Sequence, residues 1–242
     1  MNKNVLIGGA LVLAYFLFRK KSSLNVDKRI FTNMPNADIV YQEILKAGYT
    51  NPYTIAAMLS TIERESRFTP QGEISYKNTS NRRIRKIFKT KLGSKSDEFI
   101  NNLKANDVDF FDYVYGGRYG NDNKGDGYTY RGRGFNGITF KGIYRNVGNK
   151  MGVNLVSKPE LLNNIDTAAA AFVAYTELAY QDALRSGKWQ KNFKNSLDKA
   201  ATQEEANKML LKLNAGWDRG YTSDTYKYLV NRSPYFYGKI TD

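Results

Sequence analysis

Not one cysteine or histidine occurs in the 242 residues, and that absence sets terms for both fold and chemistry. With no disulfide to staple it, the fold rests on a packed hydrophobic core, which a chain of this length can build alone. Without His or Cys there is no Ser/His/Asp triad, no thiol nucleophile, no imidazole base and none of the usual zinc sites. Catalysis, if any, falls to carboxylates, hydroxyls, Lys or Tyr. The composition departs from the ordinary in charge and aromatics: 37 Lys plus Arg against 23 Asp plus Glu, a formal charge of +14, 18 Tyr and 13 Phe. Such a surface suits an extended polyanion, whether nucleic acid, an anionic membrane or the bacterial cell wall. An AT-rich codon bias yields the same excess of Lys, Asn, Tyr and Ile, so charge alone names no partner.

Val5 to Phe18 (VLIGGALVLAYFLF) carries no charge and is bracketed by Lys3 on one side and Arg19, Lys20 and Lys21 on the other. As a helix it would span roughly 21 Å against a hydrocarbon core of ~30 Å, so crossing requires snorkelling by the basic flanks or a thin bilayer. The heavier positive charge lies after the apolar run and RKKSS offers no small-residue cleavage site, the reverse of a secretory signal. The sequence therefore predicts an uncleaved single-pass anchor at residues 1–21, in a host cell membrane or a viral one. The basic flank places the C-terminal domain on the cytoplasmic side or its topological equivalent. A buried core helix is the alternative. Residues 22–36, polar with one Pro, read as a linker, and 37–242 as one globular domain.

Helical periodicity dominates that domain. Asn51 and Pro52 form a cap and first-turn pair, and Ile55, Met58, Leu59 and Ile62 recur at i, i+3, i+4 and i+7, predicting an amphipathic helix over 52–66. On its wheel Glu63 and Glu65 fall on opposite margins of the apolar stripe while Arg64 points away, so neither Glu is expected to be freely solvated. Residues 82–92 set Ile84, Ile87, Phe88 and Leu92 against a basic face, with Gly93 as stop. Further patterns cover 97–105, 107–115, 139–150, 166–186 with Asp166 as cap and Gly187 as stop, 203–213 with a Thr202–Glu205 capping box, and 224–232. Between Gly116 and Gly137 the period vanishes and eight glycines occur, a density that means tight turns and close backbone approach.

The glycine-rich stretch fits no ion or phosphate loop. No Gly-Lys-Ser/Thr comes after it and no apolar strand precedes it, which excludes a phosphate loop. Asp122, Asp126 and Gly127 match the first, fifth and sixth places of a calcium loop, but Lys124 and Arg133 stand where carboxylates are needed. Arg131 and Arg133 with Tyr128, Tyr130 and Phe135 suggest an arginine-glycine RNA-binding tract, in a single short copy. The carboxylates are the stronger lead. Glu65 falls at a helix C-terminus, where unpaired carbonyls disfavour a charged carboxylate, and a carboxyl that keeps its proton is what a general acid needs. Glu73, past Pro70 and Gly72, can turn back to face it across a cleft, and two such carboxyls form the machinery for cleaving a glycosidic bond.

ERESRF (63–68), VYGGRYGN (114–121), GDGYTYRGRGF (125–135), ITFKGIYRNVG (138–148), KPELL (158–162) and LNAGWDRG (213–220) stand in this order. Together they resemble glycoside hydrolase family 19, the chitinase-like family that includes many phage endolysins acting on peptidoglycan. The resemblance runs over roughly residues 37–235. It implies a mainly α, α+β lysozyme-like fold with a central cleft between two lobes, and inverting hydrolysis of β-1,4 bonds in N-acetylated amino-sugar polymers. Carried over by position, Glu65 would be the general acid and Glu73 the base that activates water, with Thr139 helping to hold that water. Inversion requires about 6.5–9.5 Å between the carboxyls. Tyr115, Arg118, Asn121, Tyr130 and Asn214 would line the cleft and bind sugar hydroxyls and acetamido groups. Arg131, Arg133, Asp126 and Arg219 would tie the glycine-rich segment into the fold.

Three departures stand out. Arg64 occupies a position where the family commonly has His, Gly137 one where it commonly has Gln, and the segment after Glu65 is shorter. The expected partners are peptidoglycan glycan strands, with chitin as runner-up substrate, and a membrane through the anchor; no nucleic acid, metal or organic cofactor is expected. Two other functions fit the same residues: a virion protein that grips glycan without turning it over, and a lytic transglycosylase working through Glu65 alone.

Overall fold

The computed structural model describes residues 30–242. In chain order they form α1 (Ala37–Lys46), α2 (Pro52–Ser66), α3 (Asn81–Ile87), α4 (Lys89–Leu92), α5 (Asp97–Lys104), α6 (Asp107–Tyr115), α7 (Asp126–Thr129), α8 (Lys141–Met151), α9 (Ile165–Arg185), α10 (Lys188–Asn192), α11 (Gln203–Ala215) and α12 (Asp224–Thr241), with 3-10 turns at Pro159–Asn163 and Leu197–Lys199. Among these residues there is no strand, only an isolated bridge between Arg133 and Ile138. The expected mainly helical class holds, but its α+β component does not. The glycine-rich segment spends its backbone hydrogen bonds in turns and leaves too little extended chain to pair.

The centre of the fold is α2. Asn51 caps it by accepting from the Thr54 N–H at 3.1 Å, Pro52 supplies the first turn, and every residue from Thr54 to Ile62 is buried. Burial on all sides requires partners all round. Helices α11 and α12 lie along it, and α1 joins them against α9. Where polar groups meet inside this packing they pair: Ser233 of α12 donates to Asn207 Oδ1 of α11 at 2.8 Å, and its oxygen lies 3.0 Å from the Ser60 hydroxyl of α2. A second buried cluster joins Tyr144, Val147 and Met151 of α8 to Ala171 and Ala174 of α9. A third is built by α3 to α6 from Ile84, Leu92, Ile100, Phe110, Phe111 and Val114.

Several expectations shift. Residues 30–36, expected as linker, belong to the fold: Phe31 is buried, with its ring 5.6 Å from that of Phe236, and the Asp38 carboxylate accepts from the N–H groups of Ile30 and Phe31. The basic helix breaks in two at Phe88, whose ψ of 45° lets its ring meet Tyr76 and Phe110. Asn164, not Asp166, caps α9, accepting from the N–H groups of Asp166 and Thr167. Helix α12 runs nine residues beyond the expected end, through Pro234. The carbonyl four residues earlier belongs to exposed Val230, so the bond Pro234 cannot make is left on the solvent side. Beyond it, buried Phe236 and Tyr237, stacked on Tyr53 at 4.8 Å, hold the last turns. The expected anchor at 1–21 lies outside the described residues, among which no helix is long and apolar enough to cross a membrane.

Candidate active site

Where α2 ends, two consecutive non-glycine residues, Arg67 (φ 51°) and Phe68 (φ 58°), adopt the left-handed conformation. Such residues carry backbone strain and persist when their surroundings hold them. Here buried Phe68 packs edge-on against Phe236, and its carbonyl accepts from the Asn36 side chain at 3.0 Å. The reversal turns the chain back, so that Glu65 on the last turn of α2 and Glu73 on the next loop line one open cleft of about 460 Å³. Gln71, Tyr115, Asn136 and Thr139 line it with them. Ile74, 78% exposed, stands at the same place. A second hollow of about 470 Å³ shares Glu65 and is walled by Arg64, Asn214, Arg219 and Asp224. Glu65 thus stands where two depressions meet.

The two carboxyls differ in their surroundings. Glu73 is gripped: Tyr76 donates to Oε1 at 2.8 Å, Tyr115 to Oε1 and Oε2 at 3.0 and 3.1 Å, and the Gly132 N–H to Oε2 at 3.2 Å. Its backbone is pinned as well, because its N–H donates to the Gly132 carbonyl at 2.7 Å and its carbonyl accepts from Arg131 Nε at 3.1 Å. Burial, reinforced by the Glu73 charge, pushes the phenols of both Tyr76 and Tyr115 upward, so both remain protonated donors at physiological pH. Glu65 is exposed and makes no hydrogen bond or ion pair among the described residues. That corrects the expectation of shielding, which fits Glu63 instead: its side chain is 15% exposed and pairs with Arg232 at 2.6 and 2.8 Å. Glu65 is left open to an incoming group, whereas the Glu73 carboxylate is held in place.

Thr139 sits near the braced group. A Cβ built on Gly132 would lie 3.3 Å from Glu73 Oε2 and 3.5 Å from Thr139 Oγ1, so only glycine separates the two. The Thr139 hydroxyl donates to the Gly137 carbonyl at 2.8 Å, leaving its oxygen lone pairs for a further donor.

Of the expected sugar contacts, Tyr115 lines the cleft and Asn214 the adjoining hollow, while Arg118, Asn121 and Tyr130 line neither. Asn121 is 1% exposed; its amide donates to the Tyr115 carbonyl at 3.1 Å and accepts from the Lys141 N–H at 2.8 Å. Tyr130 is buried, and its hydroxyl donates to the Val156 carbonyl. Arg118 donates to the carbonyl of Val114 at the end of α6 and lies over the Phe140 ring. These three fix the fold around the site. Arg131, Arg133 and Asp126 act as expected: Arg133, buried, donates to the Thr129 carbonyl and the Tyr144 hydroxyl, and Asp126 pairs with Lys141 at 3.2 Å. Residues that sequence reasoning passed over are Tyr76, Gly132, Gln71 and Asn136; Gln71 and Tyr76, two residues before and three after Glu73, stood within sight of that candidate, and Asn136 three residues before Thr139. No protein-family model and no curated protein matches the chain.

Proposed function

We propose that the protein is a peptidoglycan hydrolase of the family 19 type, cleaving β-1,4 bonds of the wall glycan by inversion within a lysozyme-like, two-lobed domain. The observation that carries the reading is the asymmetric pair of carboxyls lining one open cleft, Glu65 unpartnered and Glu73 held by three donors, with Thr139 beside the latter.

In this mechanism Glu65 donates its proton to the glycosidic oxygen as the bond from that oxygen to the anomeric carbon breaks. A water on the opposite face of the ring gives its proton to Glu73 and forms the new bond to the anomeric carbon, so the configuration inverts. The Thr139 oxygen accepts from that water and orients it. Tyr76, Tyr115 and the Gly132 N–H hold the Glu73 oxygens so that the base does not drift as it takes the proton. Proton exchange with solvent then restores both carboxyls. The continuation of the cleft past Glu65 into the hollow at Asn214 supports a polymer that passes through the site rather than ending in it. With an anchor at residues 1–21, the enzyme would work beside a membrane, as a phage lysis or entry enzyme does.

The test is mass spectrometry of soluble products from purified peptidoglycan treated with the wild type, Glu65→Gln and Glu73→Gln. Fragments with normal reducing ends, lost in both variants, are expected. Anhydro ends that survive Glu73→Gln would replace this reading with a lytic transglycosylase. A folded wild type that binds peptidoglycan or chitin and releases nothing would replace it with a glycan-binding protein.

A further inference from the structure

Asn136 is a half-buried residue of the cleft wall, yet both atoms of its amide are sealed from water and neither has a hydrogen-bond partner. Among the described residues it is the only carboxamide with both its donor and its acceptor so orphaned. Interior carboxamides are ordinarily paired, and one that is not stands as a reservoir of unspent hydrogen bonding. Its setting is adaptable: Gly134 (φ 79°) and Gly137 (φ 62°) flank it in the left-handed region, and nothing lies within 4 Å of where a Cβ on Gly137 would be. A carboxamide offers one acceptor and two donor hydrogens, which match the N–H and C=O of a secondary amide reciprocally.

We propose that Asn136 is a specificity residue of the cleft: on ligand entry its carboxamide turns to the acetamido group of an N-acetylated sugar, donating from Nδ2 to the acetamido carbonyl and accepting at Oδ1 from the acetamido N–H. This rests on the glycan-hydrolase reading of the same cleft and adds to it a residue, outside those expected to bind sugar, that reads the acetamido group. Asn214 provides a parallel on the other side of Glu65: its Nδ2 donates to the Leu210 carbonyl at 3.2 Å while its Oδ1 is buried and unpaired. Ligand-seeking carboxamides thus flank Glu65 in both depressions. A sugar carrying a free amine in place of the acetamido group would bring a cation without a carbonyl, leaving Nδ2 unsatisfied.

The test pairs two measurements on the full chain and on Asn136→Leu, a change that keeps the side-chain shape and removes its polarity. The first is thermal unfolding without ligand. An orphaned buried amide replaced by an apolar isostere should raise Tm by about 2–4 °C. A fall in Tm would mean that the amide serves the fold, and would overturn the proposal. The second is calorimetric titration with tetra-N-acetylchitotetraose and with its fully de-N-acetylated form. The wild type should favour the acetylated tetramer by at least tenfold, and Asn136→Leu should lose about tenfold on that ligand alone, ~1.4 kcal/mol. Unchanged affinity in the variant, equal loss on both tetramers, or a wild type that cleaves peptidoglycan while binding neither tetramer would each overturn the proposal. The last two outcomes point away from the acetamido group, the final one toward amides of the wall peptide. Binding in the expected pattern without any cleavage of peptidoglycan would sink the hydrolase and leave this inference standing.

Discussion

Gly132→Ala isolates the placement of Glu73 from its chemistry. The backbone at 132 is outside the left-handed region, so alanine fits the local conformation. Its methyl would meet Glu73 Oε2 at 3.3 Å, Thr139 Oγ1 at 3.5 Å and Glu73 Cβ at 3.6 Å. The first contact is tight enough that the carboxylate must move by a few tenths of an ångström, against the hold of Tyr76 and Tyr115. A misplacement of about 1 Å can lower turnover roughly 100-fold, so a shift of this size should lower kcat by roughly 3- to 10-fold with KM unchanged. Stability should barely respond. Reduced freedom of the unfolded chain contributes about 0.4–1 kcal/mol, crowding offsets a similar amount, and Tm should stay within about 2 °C. The assay is the initial rate of reducing-end release from solubilised peptidoglycan, run beside a thermal scan. A kcat within twofold of wild type at unchanged Tm would refute the idea that the position of Glu73 controls the reaction. Loss of kcat together with a large fall in Tm would show that the backbone, not the carboxylate, had yielded.

Tyr115→Phe removes the donor that touches both Glu73 oxygens while Tyr76 and the Gly132 N–H remain; kcat should fall about tenfold and stability by about 1 kcal/mol, read from the same rate assay and from denaturant unfolding. Ser233→Ala breaks the polar link among α2, α11 and α12, inside the core and away from the cleft; chemical denaturation should show a loss of about 1–3 kcal/mol with turnover intact. At alkaline pH Tyr144 is one of several buried tyrosines that contribute. Its phenol is pushed from the ordinary 10.0 up to about 12, chiefly by burial. The folded state therefore holds that proton more tightly than the unfolded state. The contribution is complete below pH 10 and disappears as pH rises toward 12, a loss of about 3 kcal/mol for this one group. Unfolding free energies measured across that window should fall less steeply in Tyr144→Phe than in the wild type; equal slopes would show that other groups govern alkaline unfolding.

Helices were legible because their determinants are local. The Asn51–Pro52 start and the Ile55, Met58, Leu59, Ile62 stripe lie within one window of chain, and α2 spans the predicted residues. The Thr202 cap was legible too, since Thr202 accepts from the Glu205 N–H at 3.1 Å; the Glu205 carboxylate, however, accepts from Ala201, so the reciprocal half of the box goes elsewhere. Failures came where a distant element decided the outcome. Phe31 reads as part of a polar linker until Phe236, some two hundred positions later, covers it. The last helix reads as 224–232, until aromatic packing beyond Pro234 carries it to Thr241.

The candidate site divides the same way. Residue types alone excluded thiol, imidazole and the usual zinc chemistry; spacing along one helix and its exit made Glu65 and Glu73 one possible pair among many carboxylates, and the resemblance to family 19 favoured that pair. Which carboxyl is braced and which stands free depended on groups that only folding brings near: Tyr115 is 42 positions from Glu73 and Gly132 is 59. Asn121 and Tyr130 carry side chains suited to sugars, yet packing consumes their hydrogen bonds, while Asn136, unremarkable in the sequence, keeps all of its own. A polar side chain announces what it can bond to, but whether that capacity is spent inside the protein or left for a ligand is settled by its neighbours in space.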